Sequence, residues 1–154
     1  MNVQQLILQR DFFRKKVNQK QGDRKLEVGD SYSKTVVADD QIIQDIARVS
    51  GDINPIHLND EYAEQSIFGR RIAHALFCQN VISMIIGNFL PGDGAILISQ
   101  TFKYRKPVYI GDEIEAIVAV EKVLPNGKYL LSTTCKNQKA EVVLEGESVV
   151  KWQE

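Results

Sequence analysis

Asp52 and His57 stand five positions apart in the stretch Ser50-Gly51-Asp52-Ile53-Asn54-Pro55-Ile56-His57, and their types suit acid–base chemistry. Pro55 stiffens the bend between them, so a carboxylate and an imidazole can bear on one small site and hold one water. Imidazole titrates near neutrality and a nearby carboxylate tunes it, which is what such work requires. Spacing alone leaves a second reading open, in which Asp52 caps a turn and the pair is structural. The other histidine is His74, seventeen positions further on, with no cysteine or carboxylate at metal-ligand spacing. A zinc site is therefore not expected, and neither is any other metal or redox cofactor. His74 lies beside a helix start and reads as a structural histidine rather than a second base.

The elements that must position this pair follow from hydrophobic period. Ser31 to Val37 is permissive for a strand, and Asp39 can cap a helix with Ile42, Ile43, Ile46 and Val49 on its buried side, ending near Ser50 and Gly51. From Gly51 to Arg71 the sequence is irregular and polar, which predicts a functional loop. Between Ala73 and Gly87 apolar residues cover most of the helical circumference, the pattern of a buried helix. It is shorter than the ~20 residues a bilayer span needs, and it contains Gln79, Asn80 and Ser83.

Beyond Ala95 the period changes to two. Ile96, Ile98, Phe102 and Tyr104 alternate with polar residues, Ile114 to Val120 gives a second run, and Pro125-Asn126-Gly127 turns the chain into Tyr129, Leu131 and Thr133. A last run extends from Glu141 to Trp152. One early strand and four late ones, with an apolar helix encoded between them, predict a single α+β domain in which an antiparallel sheet wraps around that helix.

Composition narrows the partners. The 154 residues suit one domain, and 19 Lys and Arg against 20 Asp and Glu give a net charge of −1, so no overall basic field draws a nucleic-acid backbone or an anionic membrane. Charge is uneven, however. Residues 1–26 hold seven bases and two acids and read as a basic N-terminal arm, with Leu6, Phe13 and Val17 at helical spacing, ahead of a domain over 27–154. Leu6, Ile7 and Leu8 run directly into Gln9, Arg10 and Asp11, which is no export signal. Cys78 and Cys135 lie far apart without a CxxC spacing and read as free buried thiols in a reducing cytoplasm. Phosphate-binding glycine loops and the HExxH and GxSxG patterns are absent.

The stretch from Ser50 to His57, with Ala63 behind it, then Phe68-Gly69 and Ile72-Ala73-His74, and later Phe102 to Val108 with Gly111-Asp112, resembles the signature of the MaoC-like, (R)-specific enoyl-CoA hydratase family. The resemblance covers roughly residues 31 to 152 and leaves the basic arm outside. It implies a hotdog fold, a five-stranded sheet curled about a central helix, assembled as a homodimer or a higher assembly of dimers. It also implies reversible syn hydration of a trans-2-enoyl thioester of coenzyme A or acyl carrier protein to the (R)-3-hydroxyacyl thioester.

On that resemblance Asp52 and His57 are the catalytic dyad, Asn54 supports their bend, and Ser83, a polar position on the central helix, supports the site by hydrogen bonding near the dyad. The backbone N–H of Ala75, where the family usually has glycine, supplies the oxyanion donor. Tyr104, Arg105 and Lys106 are candidate contacts for the phosphates of coenzyme A or an acidic carrier protein. Two rival expectations are a hotdog thioesterase and a noncatalytic acyl-thioester-binding module whose basic arm contacts a partner.

Overall fold

Alternation of exposed and half-buried residues carries the first strand, β1 (Ser31–Val37), whose Tyr32 and Val36 pack against the core. In the computed structural model, which describes residues 25–152 together with 3–5, 7, 8 and 11, β1 is followed by helix α1 (Asp40–Ser50). Asp39 starts that helix by accepting a 2.8 Å hydrogen bond from the Ile42 N–H, and Gly51 ends it in the left-handed region at φ 76°. Leu6, Phe13 and Val17, whose spacing predicts a helix, lie outside the described residues.

The core side of α1 is Ile43, Ile46 and Ala47. Val49, expected on that side, is 77% exposed. At about 100° per residue the buried arc centres on Ile43, and Val49 falls roughly a third of a turn away. The stretch expected as an irregular loop contains two short helices, α2 (Pro55–Leu58) and α3 (Asp60–Glu64), capped by Asn54 and Asn59 respectively. Caps of this kind made from asparagine are easily mistaken in a sequence for turn residues, because the same side chains serve both.

Helix α4 (Leu76–Asn88) buries Phe77, Cys78, Val81, Ile82, Ile85 and Ile86. Full burial of each large apolar side chain contributes roughly 1.5–3 kcal/mol before entropy is counted. The sheet comprises β1, β2 (Ile96–Tyr104), β3 (Glu113–Leu124), β4 (Lys128–Lys136) and β5 (Val142–Lys151), in the order β1-β3-β4-β5-β2. Every pairing is antiparallel. Its inner face presents Ile114, Ala116, Val118, Leu131, Cys135, Leu144 and Val150, none of them exposed, to α4 and its neighbours.

The expected strand count and central helix are therefore present, while one strand faces differently. Ile96 and Ile98 are 56% and 50% exposed, and Tyr104 is 51% exposed. β2 is an edge strand, bonded on one side only to β5, so its alternation does not translate into a covered face within one chain. No described helix is long and apolar enough to cross a membrane.

Gly146 shows how closely β5 and β2 approach. A Cβ there would fall 1.9 Å from the Thr101 carbonyl oxygen and 3.0 Å from the Phe102 ring. Gly146→Ala must push two hydrogen-bonded strands apart. It is expected to lower the unfolding free energy by ~1–3 kcal/mol, read from the urea midpoint at unchanged slope.

Candidate active site

Local hydrogen bonding shapes the loop that carries the dyad. Ser50 Oγ donates to the Ile46 carbonyl at 2.7 Å and accepts the Asp52 N–H at 3.1 Å. Asp52 Oδ1 accepts the Asn54 N–H at 3.2 Å, and Asn54 Oδ1 accepts the Ile56 N–H at 3.1 Å, with Pro55 in the first turn of α2. Asn54 thus caps the helix on which His57 sits. The supporting role and the turn-forming role expected of it are one geometry.

His57 is then fixed from the far side of the loop. Its Nδ1 lies 2.8 Å from the Ile72 carbonyl oxygen, which can only accept, so Nδ1 carries the hydrogen. In the neutral ring Nε2 is left with a lone pair, 3.9 Å from Asp52 Oδ2. That separation is too long for a direct hydrogen bond and short enough for both atoms to contact one water. The His57 side chain is 11% exposed and the Asp52 side chain 51%, so the base is sheltered while the carboxylate meets solvent.

The strand-like segment that supplies the Ile72 carbonyl is itself pinned, by Ile72 N–H to the Ile56 carbonyl at 3.3 Å and Ala73 N–H to the Val108 carbonyl at 2.7 Å. Arg71 locks it further. Its guanidinium donates to Asp40 and Asp60 at 2.7 Å each and to the His57 carbonyl at 3.4 Å, joining α1, α2 and α3. The hydrogen bond from Arg71 holds the Asp40 carboxyl below its ordinary range, and the aspartates raise Arg71 in turn. Arg71 was not singled out from the sequence. Its only signal there is a place beside Ile72, shared by Arg70, which instead lies 4.0 Å over the Tyr109 ring.

These residues open on a cavity of about 460 Å³ whose wall includes Asp52, His57, His74, Ala75, Cys78, Tyr104 and Val143. α4 begins at Ala75 without a side-chain cap. Its first turn therefore offers N–H groups without intrahelical partners, at the positive end of the helix dipole and beside the dyad. Ser83 lies two turns further along α4, exposed and outside the cavity wall. Tyr104, Arg105 and Lys106 line the mouth. Tyr104 accepts from the Gln79 amide, while Arg105 pairs with Glu145 and Lys106 with Glu141. The Lys106 bond holds the Glu141 carboxyl below its usual range.

Asp52, His57 and His74 bring possible ligand atoms within 4.8 Å of one another. The two imidazoles, however, are stacked at 3.9 Å between centroids with planes 28° apart. Metal coordination uses lone pairs in the ring plane, and stacked rings direct these side by side rather than to one point. The arrangement is better suited to holding a water and moving its proton. Behind the cavity, Cys78 and Cys135 are free and buried. The hydrogen bond with Cys78 and burial together push the Cys135 thiol up, away from thiolate.

A curled antiparallel sheet around one buried helix, with a carboxylate–imidazole pair at that helix's N-terminus, defines a hotdog protein equipped for acid–base chemistry. The chain belongs to the family described as MaoC like domain, whose profile matches residues 18–142. It is 46% identical over 106 residues to the 3-hydroxybutyryl-CoA dehydratase of Methylorubrum extorquens, covering 68% of this chain and 67% of the relative. It is 39% identical over 120 residues to the (R)-specific enoyl-CoA hydratase of Rhodospirillum rubrum, covering 78% and 82%. Among solved structures, the unliganded R-hydratase PhaJ1 from Pseudomonas aeruginosa superposes with a TM-score of 0.81 at 36% identity, covering 84% of this chain and 83% of that one.

The Arg71 clamp gives a pH test. A carboxyl depressed in the fold adds stability above its unfolded pKa, and loses it as pH falls through the lower folded value. Asp40→Asn is expected to lower the urea midpoint at pH 6, and the gap to the unsubstituted protein should close as pH drops below about 4.

Proposed function

We propose that this protein hydrates trans-2-enoyl thioesters to (R)-3-hydroxyacyl thioesters, and catalyses the reverse dehydration, through Asp52 and His57. The observation that carries the assignment is the 3.9 Å gap between His57 Nε2 and Asp52 Oδ2 on the wall of a cavity that also holds the start of α4. A water in that gap donates one hydrogen bond to the Nε2 lone pair and one to the carboxylate. Its oxygen attacks the β-carbon of the enoyl thioester as its proton passes to Nε2. The carbon–carbon π electrons shift toward the thioester carbonyl, forming an enolate.

The Ala75 N–H stabilises the developing oxyanion, aided by the helix dipole. The α-carbon then takes a proton from the dyad, with His57 Nε2–H as donor, and the neutral base is restored. Hydroxyl and hydrogen are delivered from one side of the substrate, because one dyad supplies both, which gives syn addition. Dehydration uses the same groups in reverse.

The acyl carrier is coenzyme A or acyl carrier protein, as in the names of the relatives. Arg105 and Lys106 reach such an anionic ligand only by sharing Glu145 and Glu141, so the phosphate contact assigned to them rests on placement at the mouth. The catalytic unit is taken as residues 27–154 with the basic arm 1–26 outside it, although Leu26 already packs in the core at 7% exposure. Two buried free thiols support a reducing compartment, here assigned as the cytoplasm.

The assembly is taken as a homodimer. Its support is β2, an edge strand of nine residues that leaves Ile96, Leu97 and Ile98 exposed, and a second copy would cover it. Light scattering behind size exclusion should give twice the chain mass, and a monomer would remove the dimer from the proposal.

Catalysis is tested with a panel of short, medium and long enoyl thioesters, following loss of the conjugated chromophore. Asp52→Asn and His57→Gln should each lower kcat by ~10²–10⁴ with the fold intact. Ala75→Pro removes the N–H at a residue whose φ of −54° proline already fits, and should cost ~10²–10³ in kcat. Binding of thioesters without turnover at any chain length would replace this reading with that of a noncatalytic module.

A further inference from the structure

His74 is a buried polar residue that the mechanism above leaves unused. It is 3% exposed, and its two nitrogens have unequal surroundings. Nε2 lies 2.9 Å from the Asp52 carbonyl oxygen, an acceptor only, so Nε2 carries the hydrogen and donates it. Nδ1 is buried and has no hydrogen-bond partner among the described residues. A proton added there would create a buried cation with nothing to accept from it, so this geometry fits the neutral ring. That ring lies 3.9 Å from His57, centroid to centroid, at 28°.

One side chain therefore touches both members of the dyad. It ties the backbone of Asp52 from below and presents an aromatic face to His57. Apart from its packing, the ring of His57 is held by one hydrogen bond, from Nδ1 to the Ile72 carbonyl, which fixes an edge of the ring and not its face. The His74 ring stacked on that face holds its tilt. Asp52 lies beyond the end of α1 on a half-exposed loop, and the bond to its carbonyl anchors that loop to the start of α4.

We infer that His74 is a positioning residue that holds Asp52 and His57 in register, as a neutral imidazole bonded to one and stacked on the other. The inference rests on the hydratase reading, and it assigns His74 no proton transfer. It also accounts for a histidine in a place where a stacking residue or a donor alone would serve half the purpose. Phenylalanine can stack but cannot donate, and glutamine can donate but cannot stack.

The test uses His74→Gln and His74→Phe in the full chain, with crotonyl-CoA as substrate and nitrogen-15 spectra of the His57 imidazole. A misplacement of about 1 Å can cost roughly 10²-fold, so each variant is expected to lose about 10- to 100-fold in kcat. KM should stay within about threefold, because only positioning at the reacting atoms has changed. The His57 Nδ1–H signal is expected to be sharp and slow to exchange in the unsubstituted protein and to broaden or shift in both variants.

Unchanged kcat in either variant would overturn the inference. So would an unchanged His57 spectrum, or unfolding of both variants, which would make His74 a stability residue only. If the unsubstituted protein hydrates no enoyl thioester, the hydratase reading fails instead, and the nitrogen-15 spectra still report whether His74 sets the state of His57.

Discussion

The 2.8 Å hydrogen bond from His57 Nδ1 to the Ile72 carbonyl is the constraint on which the site depends. Because a carbonyl cannot donate, the bond selects one tautomer and leaves the other nitrogen as a base directed toward Asp52. Had Nδ1 faced a donor instead, Nε2 would carry the hydrogen, and the imidazole would present no lone pair toward Asp52. Much of the surrounding structure keeps Ile72 in place. Backbone bonds hold it to Ile56 and tie its neighbour Ala73 to Val108, and Arg71 fastens the adjacent position to three separate helices.

Within the site, the two kinds of side chain are held differently. The Asp52 loop is shaped by hydrogen bonds between near neighbours: Ser50 Oγ to the Ile46 carbonyl, the Asn54 N–H to Asp52 Oδ1 and the Ile56 N–H to Asn54 Oδ1. The two histidines are instead held by bonds that span long stretches of chain, fifteen positions for His57 and twenty-two for His74. A loop can thus take its bend without help from the rest of the molecule, but it acquires chemistry only when α4 and its preceding segment dock. Docking of α4 is driven by its apolar surface, so the hydrophobic core and the orientation of the base are assembled in the same event.

Residues whose consequences are local were legible in the sequence. Asp39 and Gly51 bound α1 as expected, the Asn126-Gly127 turn joins β3 to β4 with both residues at positive φ, and the apolar girdle of α4 marks it as central. Asp52 and His57 stand out because their types and spacing suggest chemistry before any fold is known. What escaped was set by partners distant in sequence. Val49 has the apolar type and the approximate spacing of a core residue, but the buried arc of α1 is decided by where the sheet lies. Ile96 and Ile98 alternate correctly, and only the strand order reveals that they belong to an edge. The Ile72 carbonyl, as a backbone atom, has no signature in a sequence at all.

The uncapped start of α4 is the clearest case of stability yielding to a site. Helix N-termini usually take a Ser, Thr, Asp or Asn, whose oxygen satisfies a free N–H, and losing such a cap typically costs about 1 kcal/mol. Helices α1, α2 and α3 each have one, from Asp39, Asn54 and Asn59. Only α4 among the described helices of eight or more residues begins without, at Ala75, on the wall of the dyad's cavity. Under the proposed mechanism, a side-chain oxygen there would compete with the thioester oxyanion for the free N–H and would repel its charge. Leaving the position to alanine keeps the donor available, and the burial of Phe77, Val81, Ile82 and Ile85 along the rest of the helix offsets the missing cap.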